Sequence, residues 1–131
     1  MSKRVVLFVC QHNAGRSQLG AAMLELLAPG RFEVRSGGTS PAPTPKREVV
    51  ESVRELGLDI ADRRPRRVTA DDARESDVIV LMKPGLELPV PARGTILEWA
   101  FPDPSSWDAD GVRALRESIA SRIRAELLDD A

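Results

Sequence analysis

The sequence predicts an α/β fold: three layers, with a four-stranded parallel sheet and helices on both faces. Three observations carry this. Two apolar runs, Arg4-VVLFV-Cys10 and Asp77-VIVLM-Met82, show no alternation, as strands buried on both faces require. Amphipathic stretches separate the strand candidates. The resulting order, β-α-β-α-(α)-β-β-α, is that of a sheet wrapped on both sides.

The elements follow in turn. Arg4–Cys10 is the first strand. Leu19, Ala22, Met23, Leu26 and Leu27 then recur at helical spacing, and Gly30 is expected to close that helix. Phe32–Ser36 is the second strand. Ser40–Pro45 is a proline-rich loop, and Thr44 followed by Pro45 reads as the N-cap and first position of a second helix. Val49, Val50, Val53 and Leu56 mark its apolar side, and Gly57 its end. Thr69 before Asp71 and Asp72 predicts a short third helix. Asp77–Met82 and Thr95–Trp99 are the remaining strands. Val112, Leu115, Ile119, Ile123 and Leu127 define the last helix.

Residues 1–131 are read as one domain, a length ample for one core. Charged residues make up 30% of the chain, yet the net charge is only −1, which argues against nucleic acid or a membrane surface as partner. No apolar run approaches the ~20 residues that span a bilayer. The N-terminus lacks a cleavage signal, so a cytoplasmic location is expected. One cysteine excludes an internal disulfide.

That cysteine ends the first strand and opens the stretch Cys10-Gln-His-Asn-Ala-Gly-Arg-Ser17. In open parallel sheets the binding crevice lies beyond the carboxyl ends of the strands. A loop entering a helix offers backbone N–H groups without helical partners, a natural anion site. Gln11, His12, Asn13, Ala14, Gly15, Arg16 and Ser17 form this candidate oxyanion loop. Asn13 tolerates the left-handed region, and Arg16 offers a planar fork that suits a tetrahedral oxyanion. A thiol facing such positive potential is favoured as the nucleophilic thiolate, to which Ser17 could donate. The competing reading makes Cys10 a small core residue and Arg16 a solvated one. The joint spacing of Cys, Asn, Gly, Arg and Ser disfavours it. The G-x-x-x-x-G-K-[ST] nucleotide loop is absent.

A second group lies downstream. Asp103 sits between Pro102 and Pro104, on the loop after the fourth strand, where a parallel sheet would bring it to the same crevice. Held by two prolines, it is a candidate general acid, although aspartate and proline are also ordinary turn residues.

These motifs resemble a known family. VLFVCQHNAGRSQLGAAML is similar to the start of the low-molecular-weight protein tyrosine phosphatase superfamily, with its Cys-x5-Arg-Ser loop. HNAGRSQ resembles the arsenate reductase branch, where the phosphatases more often have Arg-Ser-Pro. Ser36-GGT-Thr39 resembles the Ser-Ala-Gly-Thr stretch, with Gly37 in place of alanine. Trp99-AFPDP-Pro104 resembles the segment carrying the family's acid. The resemblance implies a nucleophilic Cys10, an anion-binding Arg16, an acid Asp103, and an arsenate or phosphate-type oxyanion as substrate.

Low-molecular-weight phosphatases resemble one another in tyrosines beside the acid, and this chain has no tyrosine. A small inorganic oxyanion is therefore favoured. Thioredoxin-coupled arsenate reductases carry two further cysteines near the end of the third strand; here VIVLMKPGLELPV has none. In this the chain resembles the single-cysteine actinobacterial enzymes. That likeness implies an external thiol such as mycothiol as co-substrate, a mycoredoxin or glutaredoxin-like protein as partner, and neither a metal nor a tightly bound cofactor. The alternatives are a phosphatase acting through a phosphocysteine and, from another class, a non-catalytic oxyanion-binding module. His12 either shapes the loop or contacts the anion, or is simply satisfied by backbone with no proton-transfer role. Arg63, Arg64, Arg66 and Arg67 read by default as a solvated basic loop, with a docking patch for an anionic thiol or partner protein as the alternative. Trp99 is expected against the loop mouth and Trp107 under the last helix.

Overall fold

The computed structural model describes residues 3–128. Its sheet holds β1 (Arg4–Cys10), β2 (Phe32–Gly38), β3 (Val78–Leu81) and β4 (Thr95–Glu98), in the order β2-β1-β3-β4. Every pairing is parallel. β1 is central, with Cys10 opposite Gly38 in the register with β2.

Alternation along β1 sorts the core into two layers. Val6, Phe8 and Cys10 face α1 (Arg16–Leu27), α2 (Arg47–Arg54) and α4 (Ala109–Glu126), with Leu19, Leu24, Val49, Val53, Leu115, Ile119 and Ile123. Leu7 and Val9 face the opposite layer, where Ile79, Val68 and Ala73 of α3 (Ala70–Glu75) pack with Leu86 and Leu88. The faces are thus unequal: three helices on one, one short helix and a loop on the other. Among the described residues, no helix is long and apolar enough to cross a membrane.

α1 lies close to the sheet because residue 20 is glycine. A Cβ there would fall 2.5 Å from the Phe8 ring. Gly20→Ala should therefore lower stability by about 1–3 kcal/mol through overpacking, read as a fall in the urea midpoint. An unchanged midpoint would mean that α1 can shift off Phe8 freely.

Several boundaries differ from expectation. α1 ends at Leu27 with Ala28 as its cap, and Gly30, at φ 75°, serves the turn into β2 instead. α2 begins at Arg47 with Lys46 as N-cap, so Thr44 and Pro45 remain in the loop. The reason is tertiary: the Lys46 N–H donates to the Ala14 carbonyl at 2.9 Å, which holds the segment against the loop after β1. Leu56 lies beyond α2 and is exposed, and Gly57 at φ 94° completes the turn. α3 starts at Ala70 with Thr69 as its N-cap, as expected, in a reciprocal capping box with Asp72.

Candidate active site

The loop after β1 is pinned from outside. The carbonyls of Cys10, Gln11, His12 and Ala14 accept from the N–H groups of Thr39, Ser40, Ala42 and Lys46 at 2.7–3.2 Å. Gly38 makes this approach possible, since a Cβ there would lie 2.7 Å from the Gln11 oxygen. With the carbonyls engaged outward, N–H groups of the loop other than that of Asn13, and those of the first turn of α1, are left to serve an anion. Nothing competes for them at the helix start: α1 has no side-chain cap and no acidic residue in its first turn.

Asn13 organises the interior. It is fully buried and takes φ 51°, the left-handed conformation its residue type tolerates. Its N–H donates to Cys10 Sγ at 3.2 Å, and its Nδ2 to Ser17 Oγ at 2.6 Å. Ser17 Oγ is 2.9 Å from Sγ. Because the hydroxyl already accepts from Asn13, its own proton is free for the sulfur. The Asn13 N–H and the Ser17 hydroxyl thus both lie within hydrogen-bonding distance of Sγ. Asn13 Oδ1 accepts in turn from the Arg66 N–H at 3.0 Å.

Arg16 is 5% exposed. Its Nη1 donates to the Phe101 carbonyl at 2.9 Å, fixing the fork, while the buried Nε has no partner in the protein. A buried guanidinium N–H without a partner is costly, which makes this arginine a candidate to receive an anion.

Cys10, Arg16 and Asp103 line one cavity of about 370 Å³. Pro104 rests on Gly15, where a Cβ would come within 3.0 Å of the ring, so the acid segment sits directly on the nucleophile loop. Asp103 Oδ1 accepts from the Ser105 N–H at 3.0 Å, which leaves Oδ2 available. Among the described residues no Phe or Trp lines the cavity; Thr44, Pro45, Lys46 and Arg47 complete its lining. No local pattern marks these four as site residues, since only the tertiary fold brings the loop before α2 to the site.

The remaining expectations divide. His12 is satisfied by backbone, with Nδ1 3.2 Å from the Ser40 oxygen. Trp107 packs on the first turn of α4 beside Gly111. Trp99 is fully buried in the core between Phe8 and Phe101, its Nε1 bonded to Glu126, rather than at the loop mouth. The basic loop is not merely solvated. Arg63 pairs with Glu25, Arg66 makes two bonds to the buried Asp72 carboxylate, and Arg67 donates to the Thr39 carbonyl. Partners 28–38 residues away in sequence hold Arg63 and Arg67, and no local pattern announces them.

The model of the low molecular weight phosphotyrosine protein phosphatase family matches residues 5–129, and the chain belongs to that family. Among its relatives, a Halobacterium salinarum protein named "Putative arsenate reductase" is 36% identical over 94% of this chain and 89% of its own length. A solved structure of the Corynebacterium glutamicum thioredoxin-dependent arsenate reductase superposes with a TM-score of 0.81 at 35% identity. The match covers 95% of this chain but only 60% of that longer one. A low molecular weight protein tyrosine phosphatase from T. tengcongensis shares the fold, with a TM-score of 0.82 over 98% of this chain and 100% of its own, at 22% identity.

Proposed function

We propose that this chain is an arsenate reductase in which Cys10 forms a thiol–arseno adduct that an external thiol resolves. The observation carrying the oxyanion chemistry is that Cys10 and the buried Arg16, whose guanidinium has one N–H without a protein partner, line one cavity. The relatives named above favour arsenate among oxyanions, as does a cavity that no Phe or Trp among the described residues walls for an aryl ester.

Arsenate sits on the loop N–H groups and the Arg16 fork. Sγ attacks arsenic, an As–O bond breaks, and Asp103 gives its proton to the departing oxygen, which leaves as water. Arsenic is still pentavalent. A first external thiol then displaces Cys10 from arsenic. A second thiol attacks the sulfur of that small adduct, forming a disulfide; the electron pair of the S–As bond passes to arsenic, and arsenite leaves. Two thiols supply the two electrons, as a chain with a single cysteine requires.

The Corynebacterium relative is described as thioredoxin-dependent, so the donor is the point to test. Arsenate turnover is expected with mycothiol plus a mycoredoxin and not with thioredoxin plus its reductase, and mass spectrometry should find the arseno-mycothiol product. Turnover sustained by thioredoxin alone would overturn the external small-thiol step. The second reading, a phosphatase, is favoured by the same single cysteine, since ester hydrolysis needs no second sulfur. Hydrolysis of p-nitrophenyl phosphate through phospho-Cys10, with no thiol supporting arsenate turnover, would establish it instead.

A further inference from the structure

Lys46 ties the two loops of the site together. Its backbone N–H holds Ala14 of the nucleophile loop. Its Nζ donates to the Ser105 carbonyl at 3.2 Å, 59 residues away in sequence. The Ser105 N–H in turn holds Asp103 Oδ1. One peptide unit on each side of Ser105 thus passes the restraint from ammonium to carboxyl. The Lys46 side chain is largely buried at the cavity rim, and its carboxylate neighbour is Glu48, at 3.4 Å. No ion pair joins it to Asp103 among the described residues.

We propose that Lys46 is a positioning residue for the general acid. The inference rests on the reading of Asp103 as proton donor. The acid segment belongs to no helix or strand, and a donor displaced by about 1 Å can lose a hundredfold in rate. The ammonium bonds the carbonyl two residues on, not the carboxyl. That distinction matters: a direct ion pair would favour ionised Asp103, which has no proton to give. Acting through the backbone, Lys46 fixes the carboxyl and leaves its far oxygen to carry the proton.

The test compares two routes to the same phosphocysteine. With inorganic phosphate labelled with heavy oxygen, the S–P bond forms as a P–O bond breaks, the Asp103 proton goes to the departing oxygen, and label is lost to water. With p-nitrophenyl phosphate, the leaving nitrophenolate needs no proton, and its burst reports the attack alone. Lys46→Met should slow label loss at least tenfold and leave the burst within about twofold. Phosphate should protect Cys10 from iodoacetamide equally well in this variant. Lys46→Arg, which keeps N–H donors in reach of Ser105, should recover most of the label loss. Added to Asp103→Asn, Lys46→Met should cost nothing further.

Equal slowing of both probes, weakened phosphate protection, or a loss that multiplies with that of Asp103→Asn would assign Lys46 to anion binding and overturn the proposal. A loss on Asp103→Asn with none on Lys46→Met overturns the role of Lys46 alone. No loss of label exchange on Asp103→Asn removes the acid reading and this proposal together.

Discussion

Arg16→Lys is expected to lower kcat/KM by about 10²–10³ on any oxyanion substrate, a loss typical of removing one preorganised donor at developing charge. Lysine keeps the positive charge, so charge alone predicts a mild effect. The geometry predicts a severe one. The guanidinium is planar and buried, with Nη1 spent on the Phe101 carbonyl and Nε left for the anion. A lysine ammonium is a single point on a flexible stem and cannot hold both places at fixed separation. The loss should appear in oxyanion affinity, read as weaker phosphate protection of Cys10, as well as in turnover. Kinetics within threefold of wild type would show that the guanidinium only packs.

Asp103→Asn should slow turnover by about 10²–10⁴ where the leaving group is poor, the usual contribution of a general acid. Asparagine preserves the side-chain oxygen that accepts from the Ser105 N–H, so the loop should keep its place and phosphate protection of Cys10 should hold. With a good leaving group the deficit should shrink towards nothing. A uniform loss across leaving groups would mean that the substitution disturbs the loop rather than removing a proton. No loss on any substrate would return Asp103 to the role of a turn residue.

The parts of this fold that sequence discloses are those governed by local chemistry. β1 and β3 are buried on both faces, and their unbroken apolar runs say so. Thr69 and Asp72 form a cap from residues three apart, and the pattern is sufficient. Cys10, Asn13, Gly15, Arg16 and Ser17 are legible because one loop must supply sulfur, donors and a left-handed turn within eight residues. The reading falters where distant residues decide. Thr44–Pro45 is a sound helix start in isolation, but the Ala14 carbonyl takes the Lys46 N–H and moves the start two residues on. The arginines of residues 63–67 look solvated until the fold supplies Glu25 and Asp72. Lys46 itself carries no local signature, because what distinguishes it is a carbonyl 59 residues later.

Nucleophile and acid are also mounted on supports of different strength. Cys10 ends the central strand, with β2 and β3 bonded on either side. Asp103 stands on a segment held to the body by a few hydrogen bonds, from Arg16 to the Phe101 carbonyl, from the Phe101 N–H to Met82 and from Lys46 to Ser105, and by the seat of Pro104 on Gly15. Local opening draws first on regions with few buried contacts, while central strands open only with the whole molecule. In native-state hydrogen exchange, the amides of Asp103, Ser105 and Ser106 should therefore exchange through small fluctuations, and those of Val6–Val9 only through global unfolding. Under mild denaturant or heat the protein should pass through a form that retains its nucleophile and has lost its proton donor, still able to react with activated esters after its action on poor leaving groups has gone.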